Sequence, residues 1–145
     1  MSIAPAIGVA VTFCWIGMVL AISFLEAPLK FRAPNVTLQI GLGIGRLVFR
    51  ALNTVEIVLA AVLLVALLTE PARTSVLVAV ALAVVALAAQ LVAVRPRLTR
   101  RSDAVLAAGP EADNLPRSNA HYAYVALEVV KLAGLFTAGI LLLTS

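Results

Sequence analysis

Two segments of the chain carry polar and ionisable side chains at helical spacing within otherwise apolar sequence. Neighbouring members of each set are three or four residues apart, which places each set on one face of a helix, within an arc of roughly 120°. The first set is Arg46, Arg50, Asn53 and Glu56, and the second set is Arg117, His121, Tyr124, Glu128 and Lys131. We expect two helices that turn these polar faces towards each other.

Acid and base chemistry is the reaction type that these residue types favour. A carboxyl group withdrawn from water can exchange protons near neutral pH, so Glu56 and Glu128 are the candidate catalytic carboxylates, with His121 as an assisting group. Arg46 and Arg50 are candidates for holding a carboxylate or phosphate group of a ligand. The other candidate binding residues are Asn53, Tyr124, Lys131 and Glu26.

The expected depth of these carboxylates makes ion pairing necessary. At about 1.5 Å per residue, Glu56, Glu128 and Lys131 lie on the order of 14 to 18 Å from the arginine-bearing helix ends, near the middle of a bilayer. An ionised side chain there costs at least about 2.5 kcal/mol if it faces lipid. We therefore predict two ion pairs inside the bundle, Arg50 with Glu128 and Glu56 with Lys131.

The ends of the other two apolar segments reach the same level and suggest a polar funnel. Its mouth should be lined by Glu26, Lys30, Gln90 and Arg95. The opposite half should be closed by uninterrupted apolar helix ends, including 59–68 and 135–143. A closed half argues against a simple ion channel.

A metal site or a bound cofactor is not predicted. His121, Glu128, Glu56 and Glu26 could form a His and carboxylate set, but nearby Arg and Lys neutralise the carboxylates and there is no second His. The glycines of 41–45 lack the preceding strand and the spacing of a dinucleotide-binding turn, so we interpret them as a place of close helix packing or an interfacial bend.

The elements that position these residues follow from composition. Hydrophobic residues make up 63% of the 145-residue chain and charged residues only 12%, which excludes an ordinary soluble domain. About 20 apolar residues cross a bilayer as a helix, so the length fits four crossings with short connections. The predicted fold is an all-α integral membrane four-helix bundle in a single domain, with spans at about 3–26, 44–68, 74–94 and 119–143. Pro28, Pro71 and Pro96 are the expected stops.

The short loops predict the orientation. Lys and Arg concentrate after the first and third spans, whereas the opposite side offers only Arg73, so both termini should face away from the cytoplasm. The loop at 95–118 is predicted to be cytoplasmic and to contain a short basic interfacial helix that ends at Gly109-Pro110. The net charge of +4 is interpreted as this topology signal, and no nucleic-acid partner is expected.

Several short motifs carry a family resemblance. They are Trp15-Ile-Gly17, Phe24, Ala27-Pro28, Phe31, the stretch from Gly45 to Arg50, and His121 at the start of the last span. The chain resembles small bacterial four-helix membrane proteins classed as a domain of unknown function, which are loosely similar to the copper-resistance D-like group. The resemblance implies a four-helix bundle with shared polar positions and no established chemistry. Tyr122, Tyr124 and Glu128 follow His121 where that group has small and amide residues.

The sequence thus predicts a multi-pass protein of the bacterial cytoplasmic membrane with a charged pocket in its cytoplasmic half. The predicted ligand is a lipophilic, amphipathic or anionic small molecule, with Glu-based acid and base chemistry as an added role. The alternative is a non-enzymatic carrier, a transporter or a structural subunit whose charges only hold the helices together. The Ala-rich third span also offers a surface on which copies of the chain could associate.

Overall fold

Four long helices make up the fold in the computed structural model, which describes residues 2–109 and 119–145. They are α1 (Ile3–Arg32), α2 (Leu38–Thr69), α3 (Thr74–Ala108) and α4 (Asn119–Leu143). Each is long and apolar enough to cross a bilayer, so the predicted all-α four-helix membrane bundle is confirmed.

This bundle differs from a soluble protein in its many exposed large apolar side chains and in its buried charges. Leu68 and Val92 are 84% and 78% exposed, while the side chains of Glu56 and Lys131 are fully buried. Apolar exposure along all four helices and polar burial between them suit a hydrocarbon solvent. The chain is therefore a multi-pass membrane protein in contact with the lipid bilayer.

Two helices continue past the prolines that were expected to end them. The helices extend beyond the predicted span ends near residues 26 and 94, because α1 runs on to Arg32 and α3 runs on to Ala108. Pro28 and Pro96 each follow a π-helical turn, Leu20–Glu26 and Gln90–Val94 respectively.

The wider turn explains why these prolines are tolerated. A proline ring clashes with the carbonyl four residues earlier in a regular α-helix. Those carbonyls, at positions 24 and 92, lie inside the π-helical turns, where the backbone bonds reach five residues back. The Ala27 N–H donates to the Ile22 carbonyl, and the Arg95 N–H donates to the Gln90 carbonyl.

The basic segment after the third span is helical and is continuous with α3. Arg95–Ala108 continues α3 directly and ends at Gly109, whose φ of 63° ends the helix in a conformation that favours glycine. Residues 110–118, which include the predicted Pro110 stop and Arg117, lie outside the described residues.

The second helix begins earlier than residue 44, at Leu38, because Thr37 caps it by accepting a hydrogen bond from the Ile40 N–H at 3.2 Å. Its first glycines permit close packing of α1. A Cβ at Gly41 would overlap the ring of Phe31, and a Cβ at Gly45 would lie 2.9 Å from Lys30 Nζ.

The helices form an up-and-down bundle in which α1 packs against α2 and α4, and α3 packs against α4. One end, called the termini end, is tied by Ser2, whose hydroxyl donates to both Glu70 oxygens at 2.8 and 2.7 Å, and by Arg73, which donates to the Leu141 carbonyl at 2.8 Å. Apolar side chains fill the bundle near that end. They include Trp15, Leu63, Leu67, Val76, Leu135 and Leu142. The opposite end, called the basic end, carries Lys30, Arg46 and Arg95.

Candidate functional site: a buried ion cluster beneath a cavity

Two carboxylates share one ammonium group in the middle of the bundle. Lys131 Nζ on α4 lies 2.5 Å from Glu56 Oε2 on α2, and it also contacts Glu128 Oε1 one turn earlier on its own helix. All three side chains are no more than 1% exposed. The predicted Glu56 and Lys131 pair is therefore present, and Glu128 completes an ion cluster of three.

Polar side chains from the two remaining helices complete the cluster. The Ser23 hydroxyl on α1 donates to Glu128 Oε2 at 2.5 Å. The Gln90 amide on α3 donates to Glu128 Oε1 at 2.8 Å, and its oxygen accepts from Lys131 at 2.9 Å. All four helices thus contribute to one network, in which the charges are both paired and hydrogen-bonded.

A second layer of contacts lies towards the basic end. The Tyr124 hydroxyl donates to Asn53 Oδ1 at 3.2 Å, and the Gln90 amide also donates to the Tyr124 carbonyl at 3.2 Å. The ring of Phe49 meets the Tyr124 ring edge-on, with centroids 5.7 Å apart. These contacts fix the position of Tyr124 between the cluster and the space above it.

On the other side of the cluster, the fully buried indole of Trp15 lies next to Glu56. Its Nε1 and Glu56 Oε1 have no hydrogen-bond partner among the residues that the structure describes. Glu56 is therefore held firmly through one oxygen, and apolar core closes the bundle beyond it.

The π-helical turns deliver two members of the network. Ser23 lies within the turn of α1, and Gln90 begins the turn of α3. Such turns frequently occur at functional sites, since an added residue re-aims the side chains around it. In both helices a π-helical turn at the level of the cluster holds a polar side chain that binds Glu128.

A cavity of about 460 Å³ opens above the cluster, lined by residues of all four helices. Its floor is formed by Ser23, Tyr124 and Glu128. The basic groups that line it are Lys30, Arg46, Arg95 and His121. Its walls are largely apolar and include Phe24, Phe31, Leu42, Phe49, Leu98 and Val125.

The three cations of the cavity differ in how far they are already neutralised. Lys30 Nζ lies 3.8 Å from Glu26 and 5.5 Å from the centre of the Phe31 ring. Arg46 donates to Asp103 at 2.7 Å. Arg95 has no ion-pair partner in the described part of the chain, so its guanidinium is the cation most available to a ligand.

The structure corrects the predicted contacts of Arg50. Its side chain is exposed, and Glu128 pairs with Lys131 instead, so the predicted Arg50 and Glu128 pair is wrong. Arg50 is six residues from Glu56, about 120° around the helix, and this difference turns it out of the bundle.

The remaining candidates fall into separate groups. Asn53, Tyr124, Glu128 and Lys131 are buried in the network, while Arg46 and the exposed His121 line the cavity. Glu56 belongs to the network but does not line the cavity, and Glu26 pairs with Lys30 outside it. Gln90, expected at the mouth, is fully buried in the network. Their catalytic and binding roles stay predictions.

Sequence reasoning missed Ser23 and Trp15. Ser23 is an isolated hydroxyl five residues before Pro28, and a polar residue just upstream of a proline is the signal that could have indicated it. No comparable signal marks Trp15, since a tryptophan in an apolar span is ordinarily a packing residue.

In the described ranges, no group of three His, Cys, Asp or Glu side chains is placed to hold a metal ion. The chain matches no family model, and no curated protein or solved structure is significantly similar to it. The resemblance to the copper-resistance D-like group stays a prediction.

Proposed function

We propose that the protein is a multi-pass protein of a bacterial cytoplasmic membrane that binds an amphipathic anion in the cavity at its basic end. The distribution of polarity in this cavity carries the proposal, since cations line its opening and apolar side chains form its walls. An anionic group with an apolar body is complementary to such a surface. The volume of about 460 Å³ lies within the roughly 300–1,000 Å³ of small-molecule sites.

Arg95 is the proposed anchor for the anionic group. Lys30 and Arg46 already face carboxylates, whereas Arg95 has no such partner among residues 2–109 and 119–145. A guanidinium can hold a carboxylate or phosphate through two parallel N–H bonds, which adds both strength and orientation.

We infer that the basic end faces the cytoplasm and that both termini lie on the other side. Lys30, Arg46, Arg95 and Arg97 belong to the basic end, whereas Arg73 lies at the termini end. An excess of Lys and Arg in the short cytoplasmic connections is the general rule for multi-pass proteins.

Thermal unfolding in detergent tests the binding proposal. Stabilisation by oleate and by phosphatidic acid, but not by neutral phosphatidylcholine, is the expected result. Arg95→Gln should weaken this apparent affinity about tenfold or more, because a charged hydrogen bond is worth roughly 1.5–3 kcal/mol. Arg97→Gln is the matched control, since Arg97 is exposed two residues away and does not line the cavity. Equal stabilisation by neutral and anionic amphiphiles, or equal effects of both substitutions, would refute the proposal.

One observation supports a second function at the same place, namely proton transfer by Glu128. Its carboxylate lines the cavity and accepts a hydrogen bond from the Ser23 hydroxyl at 2.5 Å, whereas Glu56 does not line the cavity. A bound ligand would therefore meet the carboxylate of Glu128, and not that of Glu56, as a possible acid or base. Mass spectrometry of amphiphiles incubated with the protein in D₂O should show deuterium replacing hydrogen on carbon, an exchange that Glu128→Gln abolishes and Glu70→Gln, at the termini end, preserves. Exchange that survives Glu128→Gln would exclude this role.

A further inference from the structure

We propose that the anion is a lipid of the surrounding bilayer and that it reaches the cavity sideways, through an opening between α1 and α4. This inference rests on the proposed function of the cavity, and it adds the class of ligand and its route. Contacts among the described residues close the other three sides of the cavity but leave this one open.

The side between α1 and α2 is closed by two glycine contacts. The Phe31 ring packs directly on Gly41, and the Lys30 side chain packs over Gly45. Lys30 Nζ also lies 5.7 Å from the centre of the Phe49 ring. Side chains of α1 therefore fill the space against α2.

The sides bounded by α3 are closed as well. Towards α2, the extension Arg95–Ala108 packs on the helix and Asp103 binds Arg46 at 2.7 Å. Towards α4, a second apolar cluster bridges the two helices. It contains Val94, Ala120 and Tyr124, with Phe49, Leu98 and Leu127 packed against it.

The side between α1 and α4 changes along its length. Over Ile3–Val19 the two helices pack closely, and a Cβ at Gly139 would lie 2.8 Å from the Phe13 ring. Beyond Val19 their contacts become sparse, and the hydrogen bond from Ser23 to Glu128 joins them at the level of the cavity floor. The helices therefore diverge from that bond towards the basic end.

Residues on both sides of this gap face the cavity and the lipid at once. Phe24 on α1 is 40% exposed and Val125 on α4 is 36% exposed, and both line the cavity. Apolar side chains at an opening of this kind present no barrier to an acyl chain, whereas a hydrated ion would have to lose its water to pass them.

The shape of the cavity favours a lipid over an anion from water. An anionic head group would lie near Lys30, Arg46 and Arg95, close to the level of the bilayer interface. An acyl chain cannot continue inward, since the floor consists of Ser23, Tyr124 and Glu128 above a filled core. It has to leave past Phe24 and Val125 into the hydrocarbon. The geometry thus fits a lipid with a phosphate or carboxylate head group and one chain in the gap.

Narrowing the gap tests the route. Val125→Trp places a large side chain in the opening, and Val129→Trp is the matched control one turn further along α4, where Val129 is 53% exposed and does not line the cavity. In phosphatidylcholine nanodiscs containing a trace of phosphatidic acid, Val125→Trp should reduce the retention of phosphatidic acid at least tenfold, while Val129→Trp changes it less than twofold.

A second measurement needs no substitution in the gap between α1 and α4. Phosphatidic acid with a photoreactive diazirine in its acyl chain should label the peptides that contain Phe24 and Val125, and Arg95→Gln should reduce that labelling. Labelling near Val85, which is lipid-facing and distant from the cavity, should not change. An equal loss of labelling at the gap and near Val85, or no loss of labelling at the gap, would overturn the lateral route.

The water-soluble probe is glycerol 3-phosphate, which carries the same phosphate without acyl chains. Binding of this probe as tight as that of phosphatidic acid, unaffected by Val125→Trp, would show a water-borne ligand and overturn the inference while the proposed function stands. Failure of both probes and of oleate to bind would instead remove the proposed function.

Discussion

Lys131 Nζ lies 2.5 Å from Glu56 Oε2 and contacts Glu128 with the same ammonium group, so one cation neutralises two carboxylates from two helices. Neither carboxylate has a second cation within ion-pair distance in the described part of the chain. The stability of the bundle is therefore expected to depend on Lys131 more than on any surface charge.

Removing that ammonium is the first prediction. Lys131→Met leaves two buried carboxylates facing each other and should destabilise the bundle by about 3–5 kcal/mol, the usual cost of breaking a buried pair. Unfolding by added sodium dodecyl sulfate in mixed micelles measures the change. The triple variant Glu56→Gln, Glu128→Gln and Lys131→Met removes all three charges and should recover most of the loss. A Lys131→Met protein as stable as the original would contradict the ion-cluster account.

The matched surface control for this prediction is Arg50→Gln. Arg50 is exposed, and its side chain makes no ion pair with the described residues. Its substitution should change stability by no more than about 0.5 kcal/mol. A large loss of stability would indicate that Arg50 does pair with Glu128, contrary to the structure.

Close packing of α3 and α4 gives the second prediction. A Cβ at Gly134 would lie 2.8 Å from the Ala79 carbonyl oxygen and 3.2 Å from the Ala83 nitrogen, both of which belong to rigid backbone. Gly134→Ala should therefore force the helices apart and destabilise the protein by about 1–3 kcal/mol in the same unfolding assay.

Gly17→Ala is the control for that packing, because no atom lies within 4 Å of a Cβ at Gly17. Alanine forms helix better than glycine by up to about 1 kcal/mol, so this change should be neutral or stabilising. Similar losses at Gly17 and Gly134 would mean that the effect comes from helix propensity and not from the interface.

Helical phase predicted much of the site. Asn53 and Glu56 on α2, and Tyr124, Glu128 and Lys131 on α4, are three or four residues apart and all point inward. The same arithmetic failed at the edge of the arc, where Arg50 lies about 120° around the helix from Glu56 and is exposed. A flexible, charged side chain at that edge turns outwards to water or lipid head groups.

The contributions of α1 and α3 could not be predicted, since periodicity assumes a constant 3.6 residues per turn. The π-helical turns at Leu20–Glu26 and Gln90–Val94 add a residue and rotate everything beyond them. Ser23 and Gln90, which both bind Glu128, lie within these turns, and the turns also let both helices continue past Pro28 and Pro96. The sequence marks each turn only by its proline, which is ordinarily a stop signal.

A third prediction concerns the ion pair between Arg46 and Asp103. This pair is partly exposed, and in it Asp103 neutralises the guanidinium of Arg46, which lines the proposed binding cavity. An exposed pair is worth about 0.2–1 kcal/mol, so Asp103→Asn should strengthen phosphatidic acid binding by up to about fivefold. Glu70→Gln, which removes a carboxylate at the termini end, should leave binding unchanged. Weaker binding to Asp103→Asn would show that this pair positions Arg46 for the ligand instead of competing with it.

The fourth prediction concerns Gln90, whose amide joins three groups of α4. Its nitrogen donates to Glu128 and to the Tyr124 carbonyl, and its oxygen accepts from Lys131. Gln90→Leu leaves each of these groups short of a partner and should destabilise the bundle by about 1–3 kcal/mol. The loss should exceed that of Ser23→Ala, which removes a single bond to Glu128.

A double-mutant cycle between Gln90→Leu and Glu128→Gln then distinguishes a cooperative network from a set of separate bonds. If the network acts as a unit, the second substitution costs much less once the first is present, with a coupling of at least about 1 kcal/mol. Additive losses within about 0.5 kcal/mol would mean that the bond between Gln90 and Glu128 contributes little. The π-helical turn of α3 would then serve mainly to carry the helix past Pro96, and the position of Gln90 would be its by-product.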